Sequence, residues 1–408
     1  LRIGWPIEQE DETMFVELHL IQHFAPSNLN RDDTGAPKDC EFGGVRRARI
    51  SSQCIKRAIR TSFQRQHLLS DDRRAVRTKR LLGELADRLV TRGKDREEAL
   101  AVAQRLIESL GLAFGGSQTD KTQYLLFVAR QEIEQLVDLA DREWETLRQI
   151  ADPTAEQARD RKKQASRAVP SHLARAARDA LDGSKAVDLA LFGRMLADLP
   201  ERNIDAACQV AHAISTNRVT MEFDYYTAVD DLLPEETTGA DMIGTVEFNS
   251  ACYYRYQNVD IDQLVANLQN DAELARAGLE AFLRSSVLAV PTGKQNSFAA
   301  QNPPSLVFAV VREHGLWSLA NAFVEPARPR DGRDLVQESV RKLDAYWGRL
   351  SAMYGTQGIR GGWVATYEPD QLTALLAPPC ARVATVHEVI QHTVAAAFGD
   401  GRAEQPEV

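Results

Sequence analysis

A block of almost wholly helical pattern, from about Arg73 to Leu191, separates the first strand signal of this chain from all the others. Within it Ile133, Leu136, Val137, Ala140, Trp144 and Leu147 recur at three- and four-residue steps, the spacing of one buried helix face. Asp152-Pro153 breaks that helix, and Glu156–Lys185, rich in Ala, Arg and Lys, suits an exposed helix or a mobile linker. A sheet interrupted at such length closes only if later sequence returns the missing strands.

Later sequence does so. Phe15–His23 places Val16, Leu18 and Leu20 on one face, as a half-buried strand would. A polar loop, Ser27–Phe42, holds an Asn-Arg-Asp-Asp run and a Gly-Ala-Pro turn signal. Gly43, Gly44 and Arg-Arg-Ala-Arg-Ile lead to a helix opening at Ser51-Ser52, with Ile55, Ile59 and Phe63 as its buried stripe. Beyond the helical block, Val246–Tyr256 alternates, Ile261–Leu288 reads as an amphipathic helix and Leu306–Val311 as a buried strand. Ser215–Gly244, with Leu233-Pro234 and Gly239 as turn signals, reads as a long hairpin arm. No repeat of 20 to 50 residues is evident. This order predicts an α+β fold: a ferredoxin-like sheet, a helical insertion and a protruding β-hairpin.

Several classes drop out. A chain of 408 residues suggests two to three domains, or one core with large insertions. No apolar run approaches the length of a membrane-spanning helix, and Leu1–Thr13 is acidic and polar, unlike a secretory signal. Five widely separated cysteines (Cys40, Cys54, Cys208, Cys252, Cys380) suit neither a disulfide nor a zinc framework, so a cytoplasmic location is expected.

The net charge of -9 argues at first against a phosphate-binding partner, but the charge is segregated. Phe42–Ser70 holds seven basic residues and no acid: Arg46, Arg47, Arg49, Lys56, Arg57, Arg60 and Arg65. Val219–Tyr254 holds eight acids and no Lys or Arg. The basic window surrounds a helix start, where unpaired N–H groups and the dipole favour anions. Lys56 and Arg60, four apart, share a helix face, and Gly43-Gly44 would let the backbone approach a ligand closely. In the acidic arm Phe223, Tyr225 and Tyr226 could stack on bases, while its acids invite head-to-tail contact with the basic patch of another copy.

Signals for catalysis are weak. Asp32-Asp33 is the best candidate for a metal or acid/base pair, although adjacent loop aspartates more often form turns. His19 and His23 lie in a strand, too far apart for one metal, and His212 and His314 lack partners at ligand spacing. Thr292-Gly293-Lys294-Gln295 is a short Gly-Lys element entering a strand-like region, fit for a phosphate contact or a plain turn. Met195 reads as core filler. No catalytic residue, metal ligand or cofactor is expected, and the chain does not read as an enzyme.

An ordered set of segments resembles the CasC-type backbone subunit of the type I-E CRISPR Cascade complex, within the RAMP superfamily. It comprises Ser27–Asp33, Phe42–Gly44, Arg46–Gln53, Lys56–Ala58, Gly193–Met195, Ala211–Thr216, Tyr226–Asp231, Pro291–Gln295 and Ser318–Phe323, spanning roughly Met14 to Tyr367. The resemblance implies an RRM-like palm, helical fingers and a thumb hairpin, with residues 1–13 a tail, 14–70 and 246–398 the palm, 71–212 the fingers, 213–245 the thumb and 399–408 a tail. It also implies a ribonucleoprotein filament in which copies polymerise along one CRISPR RNA. Each thumb folds over the guide, which pairs with target DNA in short segments. Large, small and cap subunits and a guide-processing endonuclease are the implied companions. Carried over, Ser51, Gln53, Lys56 and Arg60 match a phosphate-contacting helix, Arg31 and Lys38 match loop positions near RNA, and Lys294 and Gln295 match a backbone contact. Met195 matches a methionine that wedges beside a displaced base. Arg46, Arg47, Arg49, Arg57 and Arg218 complete the expected RNA-binding set. Val45 stands where some relatives carry a lysine, a departure that shifts weight from the loop to the helix. The alternative is a metal-dependent RNA endonuclease of type III-like character, using Asp32 or Asp33.

Overall fold

The computed structural model describes residues 13–115, 118–151, 169–183, 185–228 and 242–399. Nearly all of both tails, the Asp152-Pro153 break, residues 156–168 of the Glu156–Lys185 stretch and the Leu233-Pro234 and Gly239 turn signals lie outside these residues. Two compact units are present. One comprises residues up to Leu68, Cys208–Asp262 and Leu279 onward; the other comprises Leu69–Ala207 and Gln263–Gly278.

Along the chain, β1 (Phe15–Ser27), β2 (Asp39–Phe42), β3 (Val45–Ile50) and α1 (Ser52–Arg65) come first. Then follow β4 (Ala75–Thr78), α2 (Leu81–Thr91), α3 (Arg96–Ser109), β5 (Phe114–Gly115), β6 (Gln118–Thr122) and β7 (Leu126–Ala129). Next are α4 (Arg130–Arg142), α5 (Trp144–Ala151), α6 (Ser171–Asp179) and α7 (Val187–Phe192). The strands resume with β8 (Cys208–Val210), β9 (Ala213–Ser215), β10 (Glu222–Ala228) and β11 (Met242–Asp260). The chain closes with α8 (Ile261–Asn267), α9 (Ala272–Leu288), α10 (Gln295–Phe298), β12 (Leu306–Arg312), α11 (Leu335–Tyr354), β13 (Ile359–Thr366), β14 (Cys380–Arg382) and α12 (Val386–Ala397).

In the first unit the strands run in the order β14-β13-β12-β1-β11-β9-β3-β2. The central β12-β1-β11-β9 quartet is antiparallel throughout and has the strand order of a ferredoxin-like or RRM-like fold. The expected α+β class is the one observed. β1 differs from its predicted half-buried state, because apolar surface covers both of its faces. On one face His19 and Ile21 meet Tyr254, Phe308, Leu306 and, from α11, Trp347. The polar side chains on that face pair with one another, although His19 Nε2 and Arg312 Nε stay buried without a hydrogen-bond partner. Glu17 accepts from Arg312 at 3.1 Å, from the Tyr256 hydroxyl at 2.7 Å and from the Trp317 amide at 2.7 Å. Nδ1 of His19 lies 2.9 Å from the Tyr254 hydroxyl. Burial, and then Arg312, push the His19 pKa down to about 3, which keeps the ring neutral in the core.

The helical unit buries Ile133, Leu136, Val137, Ala140, Trp144 and Leu147 together, as their spacing predicts, although they divide between α4 and α5. The antiparallel β4–β7 and β5–β6 pairs depart from the almost wholly helical pattern expected of Arg73–Leu191, and Gln263–Gly278 return to this unit from later in the chain. The predicted Ile261–Leu288 helix is two helices, since Gln269 and Asn270 take positive φ between α8 and α9. Among the described residues no helix is long and apolar enough to cross a membrane.

Candidate nucleic-acid interface

α1 organises the site. Ser51 caps it, its hydroxyl accepting from the Cys54 amide at 3.3 Å, a contact worth roughly 1 kcal/mol. Ile55, Ile59 and Phe63 are buried, each contributing about 1.5–3 kcal/mol of apolar transfer. The opposite face therefore belongs to Gln53, Lys56, Arg57 and Arg60, with Gln53 and Arg57 exposed and the other two half-buried. The first turn holds no acid.

The loop before β2 packs against this helix start. Asn30 Oδ1 accepts from the Ser51 amide at 2.8 Å, and its carbonyl accepts from the Lys38 amide at 2.8 Å. Asn28, fully buried, donates to the carbonyls of Gly35 and Glu247, both at 2.9 Å. Gly293 lies so close that a Cβ there would sit 2.3 Å from the Leu29 carbonyl oxygen. Leu29–Gly35, Cys54 and Thr292–Gly293 line an open cavity of about 540 Å³. Arg31 is exposed on its rim. Lys294, in left-handed backbone, leads into the one-turn helix α10 instead of the expected strand. The Gln295 amide donates to Pro291 and Ala300 carbonyls at 3.0 and 3.2 Å, so it closes its own loop.

Asp32 is a turn former. Its Oδ1 accepts from the Thr34 hydroxyl at 2.7 Å, the Thr34 amide at 2.9 Å and the Ala36 amide at 3.0 Å. The Thr34 hydroxyl, then these amides, hold its carboxyl below the usual range. Asp33 is exposed. Among the described residues no three His, Cys, Asp or Glu side chains gather as a metal site would require.

The arginines before α1 are not all available. Gly43 and Gly44 form the two-residue turn of a β2–β3 hairpin, both at positive φ, with Phe42 paired to Val45. The expected close approach is to the protein's own backbone: a Cβ on Gly43 would lie 2.3 Å from the Val324 carbonyl oxygen. Arg47, expected to bind RNA, is a correction. It is wholly buried and donates to the carbonyls of Ser215, Thr216, Phe323 and Val324 at 2.7–3.1 Å. No donor of that fork faces solvent. Arg46 is exposed but ion-paired with Asp39, an acid outside the counted window that the hairpin folds back onto it. Arg218 is exposed beside it, the next amide donating to the Arg46 carbonyl at 3.1 Å. Arg49 donates from Nε to the Asp39 carbonyl at 3.0 Å and lies 3.1 Å from His212, a residue that sequence reasoning set aside.

Met195 lies in the helical unit and is 84% exposed, which overturns the core-filler reading. Gly193, at positive φ, and Arg194, buried against Glu132 at 2.8 Å, anchor the turn that presents it. On the arm, Phe223, Tyr225 and Tyr226 of β10 are exposed alongside Glu222 and Asp224.

The family described as CT1975-like protein matches residues 16–391. The chain belongs to that family. The match runs past Tyr367, where the resemblance was expected to end, and takes in β14 and the first half of α12. A chain of a structure titled "CRISPR RNA-guided surveillance complex, pre-nicking" is 35% identical, with a TM-score of 0.78 over 94% of this chain and all of that one. A chain of a second "CRISPR RNA-guided surveillance complex" is 29% identical, with a TM-score of 0.71 over 94% of this chain and 99% of that one. No curated protein matches the chain.

Proposed function

We propose that this protein is a non-catalytic backbone subunit of a type I-E CRISPR surveillance complex, Cascade, acting in the cytoplasm. Copies of it polymerise head-to-tail along one CRISPR RNA, holding the guide's phosphates while base pairing reads the target DNA. Large, small, cap and guide-processing subunits complete the particle. The observation that carries this reading is the polar face of α1, where Gln53, Lys56, Arg57 and Arg60 follow a capped helix start in a chain of which 94% matches surveillance-complex chains. A row of cations along one helix face suits a repeating phosphate backbone and carries no base code, as a scaffold for arbitrary guides requires. The nuclease alternative is weaker, because the turn already occupies one carboxylate oxygen of Asp32.

The test is assembly on a guide. Lys56→Glu with Arg60→Glu should lower RNA affinity by about ten-fold or more at low salt and flatten its salt dependence by about two phosphate contacts. Unchanged assembly would remove α1 from the interface. Regular, Asp33-dependent cuts in complementary RNA with Mg²⁺ would refute the non-catalytic reading.

A further inference from the structure

His212 stands where the cations of the site converge. β3 and β9 pair through Arg49–Ile214 and Ile50–Ala213; His212 directly precedes β9, and Ser51, the cap of α1, directly follows β3. The ring is exposed. Its Nδ1 lies 3.1 Å from Nη1 of Arg49, whose Nε is held on the Asp39 carbonyl at 3.0 Å. Lys38 is close enough to act on the ring as a charge. Among the described residues the charges acting on the imidazole are those of Arg49 and Lys38, and the Asp39 carboxylate is paired with Arg46.

A guanidinium keeps all its protons, so at this distance Arg49 donates and Nδ1 accepts. The ring is therefore neutral in the free protein. Partial burial, then Arg49 and Lys38, hold its pKa below the ordinary 6.5. A phosphate oxygen at this place would change each of these conditions. It would accept from Arg49 in place of Nδ1, leave that nitrogen open to a proton, and set negative charge among three basic groups.

We propose that His212 is a third phosphate-binding group beside Lys38 and Arg49, engaging the RNA backbone as the imidazolium, so that each copy takes up a proton when it binds. This rests on the RNA-backbone reading above and adds a residue that counting charges at neutral pH omits. Because the bound ring titrates above the free ring, affinity rises as pH falls through the interval between the two. One proton per copy limits the gain to about ten-fold per pH unit.

The experiment is binding of the full-length chain to a single-stranded RNA long enough for one copy. Fluorescence anisotropy would be read at fixed ionic strength from about pH 5.5 to about pH 8.5. The wild type should tighten by about three-fold or more between pH 7.5 and pH 5.5. His212→Gln should lose that slope and be weaker at the acid end, whereas His212→Lys, with a fixed charge, should bind tightly and evenly throughout. A wild-type slope retained in His212→Gln, or a parallel loss at every pH, overturns the inference and leaves the RNA reading standing. Failure of the wild type to bind at any pH overturns both.

Discussion

Arg46 and Arg47 are neighbours in β3, and the two-residue period of a strand sends them to opposite faces. A run of basic residues in sequence therefore does not translate into a row of cations on a surface. Arg47 goes inward and ties β3 to the Ser215–Thr216 turn and to the Phe323–Val324 segment, which brings two of the sequence segments behind the family resemblance into contact. Truncation would take a donor from four carbonyls, of which that of Thr216 keeps a second one, the Ala327 amide at 2.8 Å. Arg47→Ala should destabilise the protein by about 3 kcal/mol or more, read as the urea midpoint of unfolding, with Arg47→Lys recovering only part because an ammonium lacks the planar fork. If Arg47→Ala unfolds at the wild-type midpoint and loses only RNA affinity, the buried role is wrong. His19 follows the same logic in the core, where its burial makes it a neutral packing group.

At the scale of elements, α1 was readable because its period, cap and buried stripe agree, each pointing to a start at Ser51-Ser52. The β2–β3 hairpin was not read, although a Gly-Gly pair between strand-compatible residues is a recognised hairpin signal. In sequence the same glycines, followed by three arginines, suit a phosphate loop equally well. The two glycines make separable demands. Gly43→Ala meets both positive φ and the Val324 carbonyl, and should cost about 2 kcal/mol or more with loss of the hairpin. Gly44→Asn, with open space around it and a residue that tolerates positive φ, should cost roughly 1 kcal/mol or less. Equal costs in chemical denaturation would contradict this account of the turn.

For the whole molecule, charge segregation matters more than net charge. Pairing of Arg46 with Asp39 and burial of Arg47 leave a smaller basic patch than the sequence count of seven, centred on α1 and on Lys38, Arg49 and His212. The exposed acids Glu222 and Asp224 are on β10, paired with the outer part of β11. Reversing both to Lys should shorten the assemblies formed on a long RNA, measured by mass photometry, while changing single-copy RNA affinity by less than about three-fold. A large change in single-copy affinity at full assembly length would place those acids at the RNA instead of between copies.

Local pattern by itself determined the α+β class, its ferredoxin-like character and the capped helix at the centre of the site, but not the short strand β9 that completes the central quartet. These depend on periods of two and 3.6 residues that the chain carries wherever it goes. Tertiary structure alone decided which arginines reach solvent, that Asp39 would neutralise Arg46, and that His212 would meet Arg49. Each of those depends on contacts between residues distant in sequence or on the face a strand turns to its neighbours, and on the cost of leaving a buried polar group unpaired.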